Sequence, residues 1–332
     1  MGLLHSGIFN QLESSTLVAV AEKDARTGNL LKAYRPNINV YRDYAEMFKR
    51  EELDVAAITT PVFLHKPIVE TALESDCHVF VEKPLALNGD ECRSVVHANG
   101  NQQTQVGYNR RFLETFKMAK RTIDDSLLGE LKFLRSQMFE TQVLRKEKGW
   151  RYDPAKSGGV GVIIDLGAHA IDMLHYLVGS LARVHGVARS IYSDTVDDYA
   201  SIGLQFTGGV VGSLELSWSI RHYRLPEMRI SMEFDEGALT VTEKYIELYS
   251  EVDRPQLRQG WRTFHLQDLT KGVPIDLGGP EYTAEDAQLI DSIGNGAEPL
   301  CNFKEAAKTN FAIDAVYASI QTGETQKVRY EV

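Results

Sequence analysis

The chain has 332 residues, with 36 basic and 46 acidic side chains and a formal charge of −10 at pH 7. No basic cluster stands out, which argues against nucleic acid or an anionic membrane surface as a partner. No apolar run approaches the ~20 residues that span a bilayer, no secretory leader is recognisable, and Cys77, Cys92 and Cys301 form neither a metal pattern nor a disulfide framework, so a reducing, cytoplasmic setting is expected.

The length suits about two domains. The opening Gly2-Leu3-Leu4-His5 and the residues after it read as a helix. Residues 16–22 form a β-branched apolar run closed by Glu22. Helices follow over 24–34 and 43–51, the second with Asp43 as N-cap. Residues 55–60 are an apolar strand ended by Pro61, with a helix over 63–75 behind it. His78-Val79-Phe80-Val81 is a continuous apolar run, the pattern of a buried parallel strand, and it stops at Glu82-Lys83-Pro84. A helix near 88–99 and a strand over 103–109 complete an alternation that implies βαβ units on a parallel sheet. Residues 1–118 therefore read as a doubly wound, Rossmann-like α/β domain.

Beyond that point the pattern changes. Residues 131–142 alternate as a half-exposed strand, and one amphipathic helix covers 161–178. Short alternating strands follow without helices between them, which implies a large open, mostly antiparallel sheet. Helices near 282–295 and 303–320 close the chain. Residues 119–332 read as an α+β domain for substrate binding and oligomerisation, with its last helices able to pack back on the first domain. Leu214, Leu216, Trp218 and Met232 alternate along two of its strands as an uncovered apolar face, so a homodimer or homotetramer through this sheet is expected.

Ligands of open α/β sheets bind beyond the carboxyl ends of the strands. Lys83 is a cation delivered to that mouth, although a lone surface lysine would look the same. Asp165, His169 and Asp172 have the spacing i, i+4, i+7 and share one helical face. A carboxylate beside an imidazole raises its basicity and suits proton transfer, and a structural ion pair is the plain alternative. The spacing is not that of a zinc helix, so no metal is expected. Glu22 ends a strand where an acid meets the ribose of a bound dinucleotide. Thr59-Thr60-Pro61 end the next, with His65 one turn on. Lys23 and Arg26 admit NADP, but the acid favours NAD. The glycine fingerprint of such folds has no counterpart before Gly2, which stands about twenty residues ahead of Glu22, where its third glycine belongs. The strand that precedes the fingerprint is missing as well, so an N-terminally truncated, inactive form is one expectation.

The whole chain resembles the glucose–fructose oxidoreductase / inositol dehydrogenase / rhizopine catabolism family. The landmarks are Gly2…His5, Leu17-Val-Ala-Val-Ala-Glu22, Thr59-Thr60-Pro61…His65, the Glu82-Lys83-Pro84 stretch, Asn109-Arg110-Arg111-Phe112 and Asp165-Leu-Gly-Ala-His169. The resemblance implies an NAD(P)-dependent oxidoreductase moving hydride between nicotinamide and a secondary alcohol of a sugar, polyol or nucleotide sugar. Carried over by position, it makes Lys83, Asp165 and His169 catalytic. It places Gly2, Leu3, Glu22, Thr59, Thr60, Pro61, His65, Glu82 and Lys83 along the cofactor, and Asn109, Arg151 and Asp172 at the substrate. Val62 stands where the family usually carries Asn. A non-catalytic relative that senses a dinucleotide or a sugar is the alternative.

Overall fold

The computed structural model describes residues 1–142, 153 and 161–331. In its first third, short apolar strands alternate with capped helices: α1 (Gly2–Phe9), β1 (Ala19–Ala21), α2 (Ala25–Tyr34), β2 (Asn39–Tyr41), α3 (Tyr44–Arg50), β3 (Val55–Ile58), α4 (His65–Glu74), β4 (His78–Glu82), α5 (Gly89–Ala98) and β5 (Thr104–Gly107). Asp24, Asp43 and Asn88 accept from backbone amides of the first turns of α2, α3 and α5, which satisfies donors that a helix start otherwise leaves open. The strands make two parallel sheets, β1–β2 and β3–β4–β5. Among the described residues no ladder joins β1 to β3. These are the two strands that flank the first strand in a 3-2-1-4-5-6 sheet. The strand β2 is too short to read from the sequence and is defined by its parallel pairing of Ala19–Ala21 with Asn39–Tyr41.

The second part holds α6 (Glu114–Asp124), β6 (Leu131–Phe139), α7 (Gly161–Leu177), β7 (Leu181–Arg189), β8 (Tyr199–Phe206), β9 (Val211–Ser217), β10 (Glu227–Phe234), β11 (Gly237–Thr242), β12 (Tyr245–Ser250), β13 (Gly260–His265), α8 (Leu266–Leu269), α9 (Pro280–Asn295), α10 (Phe303–Thr322) and β14 (Gln326–Lys327). Nine strands form one sheet in the order β13-β12-β11-β10-β6-β9-β8-β7-β14. Among the described residues, only its β6–β9 pair is parallel. One face lies under α7 and α10. Leu214, Leu216, Trp218 and Met232 are at most 1% exposed on that covered side. This corrects the expectation that they await a partner: the helices already bury them. The uncovered face instead carries Phe133, Val187, Val211 and Trp261.

The C-terminal helices reach back to the first sheets. Gln105 Nε2 donates to the Glu285 carbonyl at 2.8 Å, and the Val106 amide donates to the Cys301 carbonyl at 2.9 Å. The Gly89 amide donates to Asp314 at 2.8 Å. The strand ends of β3–β5 and the helix α7 are thereby held in one body, and the site lies between them. Among the described residues, no helix is long and apolar enough to cross a membrane.

Candidate active site

The buried strand β4 ends at Glu82, and the chain turns so that Lys83 points toward α7. Lys83 Nζ donates to Asp165 Oδ1 at 2.7 Å and to the Asp165 carbonyl at 3.3 Å. The two side chains are 16% and 26% exposed, so the pair is sheltered yet reachable from solvent. An ammonium has three donors, and among the described residues Asp165 takes two of them. The third is left for a bound group.

His169 sits one turn along α7 from Asp165. Burial above all, and then the charges of Lys83 and Arg110, hold its pKa well below the ordinary histidine value. Its Nδ1 is buried and has no hydrogen-bond partner among the described residues. Tyr108 meets its ring edge-on at 6.2 Å between centroids. This corrects the expected carboxylate-supported imidazole. Asp165 turns to Lys83, and His169 lies in a field of two cations that favours its neutral form.

Asp172 is not at the site. It is 1% exposed and forms a fork-to-fork pair with Arg111, at 2.7 and 2.9 Å. Cys301 Sγ also approaches Asp172 Oδ1, at 3.9 Å. The substrate role expected of Asp172 gives way to a buried ion pair, because both carboxylate oxygens are engaged inside the core. Asn109 begins a single 3₁₀ turn over Asn109–Phe112, directly after β5, and is 7% exposed. Arg151 lies outside the described residues.

The cofactor-side residues gather at the same strand ends, with two exceptions. A Cβ on Gly2 would stand 3.1 Å from Thr59 Oγ1, so the start of α1 abuts the end of β3. The Thr60 hydroxyl is buried without a partner among the described residues. Pro61 leads into the short turn Val62–Leu64, and Val62 is 4% exposed, part of the core. Glu82 accepts from its neighbour's amide, Lys83 N, at 3.2 Å. Glu22 closes β1 and accepts from the Asp24 amide at 2.8 Å. His65 is the first exception. It is 1% exposed, and its two ring nitrogens bridge the carbonyls of Thr60 and Pro84, each at 2.9 Å. It braces the two strand-end loops from behind and leaves no ring atom for a cofactor. Leu3 is the second, since it lies in the first turn of α1 and is 72% exposed, away from the packed strand ends.

One charged residue near His169 was not singled out in the sequence. Arg110 Nε donates to Glu243 Oε1 at 3.0 Å from a side chain 13% exposed, and its charge reaches His169. The signal was present: like Lys83, it is a cation just past the end of an apolar parallel strand.

The residues fit a dinucleotide. An unpartnered threonine hydroxyl, a glycine-started helix, a strand-end carboxylate and a half-buried lysine line the carboxyl edge of parallel strands, where nucleotides bind. Fold and site together define a nicotinamide-dependent oxidoreductase with a two-part architecture. Two models of one family match the chain, "Oxidoreductase family, NAD-binding Rossmann fold" over residues 2–110 and "GFO/IDH/MocA C-terminal domain" over residues 116–240. The chain belongs to the GFO/IDH/MocA family of oxidoreductases. It is similar to D-apiose dehydrogenase of Paraburkholderia graminis, 22% identical over 98% of this chain and 86% of the relative. It is also similar to inositol 2-dehydrogenase/D-chiro-inositol 3-dehydrogenase of Halalkalibacterium halodurans, 25% identical over 72% of this chain and 60% of that relative. Among solved structures, levoglucosan dehydrogenase in complex with NADH and L-sorbose superposes with a TM-score of 0.89 at 22% identity, covering 99% of this chain and 96% of the other.

Proposed function

We propose that the protein is an NAD-dependent dehydrogenase that oxidises a secondary alcohol of a sugar, polyol or nucleotide sugar. The observation that carries this is Lys83, held at 2.7 Å by Asp165 with one ammonium donor left over among the described residues, beside a neutral His169. Lys83 donates to the reacting oxygen and stabilises negative charge as it develops there. His169 takes the hydroxyl proton. Its neutral form is the one able to accept, and the approaching anionic oxygen offsets the cations that otherwise weaken it as a base. When bound, the nicotinamide accepts the hydride, so the alcohol leaves as a ketone. Asp165 keeps Lys83 in place. The relatives named as sugar and inositol dehydrogenases support the substrate class. Thr59, Thr60, Glu82 and Glu22 are assigned to the cofactor, and Asn109 and Arg110 to the substrate side.

The test is formation of NADH or NADPH from a panel of sugars, inositols and nucleotide sugars, with Lys83→Ala in parallel. Loss of about a hundredfold or more in kcat is expected for the variant. Turnover equal to that of the unaltered protein would overturn the assignment. The second reading is a non-catalytic relative that senses a dinucleotide or a sugar. Tight NAD binding without turnover on any of these compounds would favour it.

The partner expected is a second copy of the chain. On the uncovered sheet face, Val211, Phe133, Glu233, Ala238, Tyr249 and Trp261 follow one another across paired strands. The rings of Tyr249 and Trp261 meet at a tilt, 5.1 Å between centroids. Neighbouring rows carry Arg135 and Arg229 beside Glu215 and Glu247. This row, apolar but for Glu233 and with both signs of charge in the rows beside it, can meet its own copy about a two-fold axis, which suits a homodimer or homotetramer.

A further inference from the structure

His5 lies behind the active site, on α1, with a ring 1% exposed. Its Nδ1 contacts the two carboxylate oxygens of Asp286 at 2.9 and 3.0 Å, and its Nε2 contacts Glu82 Oε1 at 3.1 Å. The ring also lies 4.6 Å from that of Phe80. Three separate elements, α1, β4 and α9, meet on this one side chain. Carboxylates only accept, so protons on both ring nitrogens satisfy both contacts, and the ring is then an imidazolium. Glu82 uses its other oxygen to accept from the Lys83 amide. A continuous chain of contacts therefore runs from Asp286 through His5 and Glu82 to the backbone of Lys83.

We propose that His5 is a positioning residue of the active site: by clamping Glu82 against α9 it fixes the backbone from which Lys83 reaches Asp165. This rests on the reading of Lys83 as the group that polarises the reacting oxygen. The titratable groups that face the ring are Glu82 on β4, and Tyr282, Glu285 and Asp286 on α9. Burial pushes the Glu285 carboxyl well above its ordinary range, which disfavours its charged form beside the ring. The ligand atoms of His5, Glu285 and Asp286 lie within 4.8 Å of one another, close enough to hold a metal ion. With both imidazole nitrogens engaged by carboxylates, however, no lone pair remains for a metal. Burial opposes the charge on His5, but its hydrogen bonds to Asp286 and Glu82 and their negative charges outweigh it and raise the pKa to about 9.

The clamp should therefore release at alkaline pH, and kcat should fall on an alkaline limb that belongs to His5. Asp286→Asn keeps the shape of its partner but removes the charge. It should move that limb down by about one pH unit or more, with the KM for NAD within about threefold of the parent and the fold intact by circular dichroism. His5→Gln can still donate to Glu82 but does not titrate. It should keep kcat near neutral pH within about threefold and abolish the limb, whereas His5→Asn, too short to reach Glu82, should lose about tenfold or more in kcat. An unchanged limb in Asp286→Asn would overturn the proposal, as would equal activity in the two His5 variants or a stoichiometric divalent cation found by elemental analysis. Lys83→Ala in the same series separates the two claims. Activity retained there defeats the reading of Lys83, while activity lost there but unaltered in the His5 and Asp286 variants defeats only the clamp.

Discussion

The reassignment of Asp172 can be tested by stability. Arg111 Nε and Nη2 donate to the two Asp172 oxygens at 2.9 and 2.7 Å, and Nη1 donates to the Leu300 carbonyl at 3.0 Å. The side chains are 4% and 1% exposed, so solvent screens neither charge. Burial raises the Asp172 pKa first, and Arg111 opposes that rise. Asp172→Ala would strand a guanidinium that cannot shed its proton. Breaking one side of a buried pair in this way costs about 3–5 kcal/mol, a large share of the roughly 5–15 kcal/mol that a domain has in reserve. Replacing both partners, as in Arg111→Met with Asp172→Leu, removes the stranded charge and should recover most of that loss. Urea unfolding of the single and double variants measures the difference. A loss below about 1 kcal/mol for Asp172→Ala, together with a raised KM for the sugar, would refute this account and return Asp172 to the substrate.

Other outcomes follow from the same contacts. His5 has a folded pKa of about 9 against 6.5 for the free side chain. Its contribution is therefore complete below pH 6.5 and lost as pH rises through about 9, on the order of 3 kcal/mol in all. Chemical denaturation across that range should show the decline in the parent and not in His5→Gln. Burial pushes the Asp286 carboxyl upward, and its hydrogen bond to the His5 imidazole opposes that rise. Asp165→Asn should lower kcat about tenfold by loosening Lys83, with NAD affinity unchanged by calorimetry. Trp261→Asp on the open sheet face should convert an oligomer to monomer in light scattering, with little change in melting temperature, because Trp261 is 68% exposed.

The parts legible in the sequence were those with local causes. The apolar run of β4, the Asp43 cap and the cation after a strand end each lie within a few residues of what explains them. The i, i+4 relation of Asp165 and His169 was also local. Their chemistry was not local. The partner of Asp165 is Lys83, 82 positions away, and that distant cation reverses the charge expected around His169. Asp172 answers to Arg111, 61 positions away, and His5 to Asp286, 281 positions away. The polar spacing on α7 could not show which of three residues on one face turns inward, because packing against the segment after β5 decides it. Burial of Leu214 and Leu216 was invisible for a similar reason: alternation marks an apolar face but not the helix that covers it.

The central claim is that Lys83 polarises an alcohol for hydride transfer to NAD. It is tested most directly by NADH formation from sugars and inositols, comparing the parent with Lys83→Ala at saturating NAD. The account requires turnover in the parent and a fall of about a hundredfold or more in the variant, with NAD still bound. Tight NAD binding without turnover by the parent, or a variant as active as the parent, would contradict it.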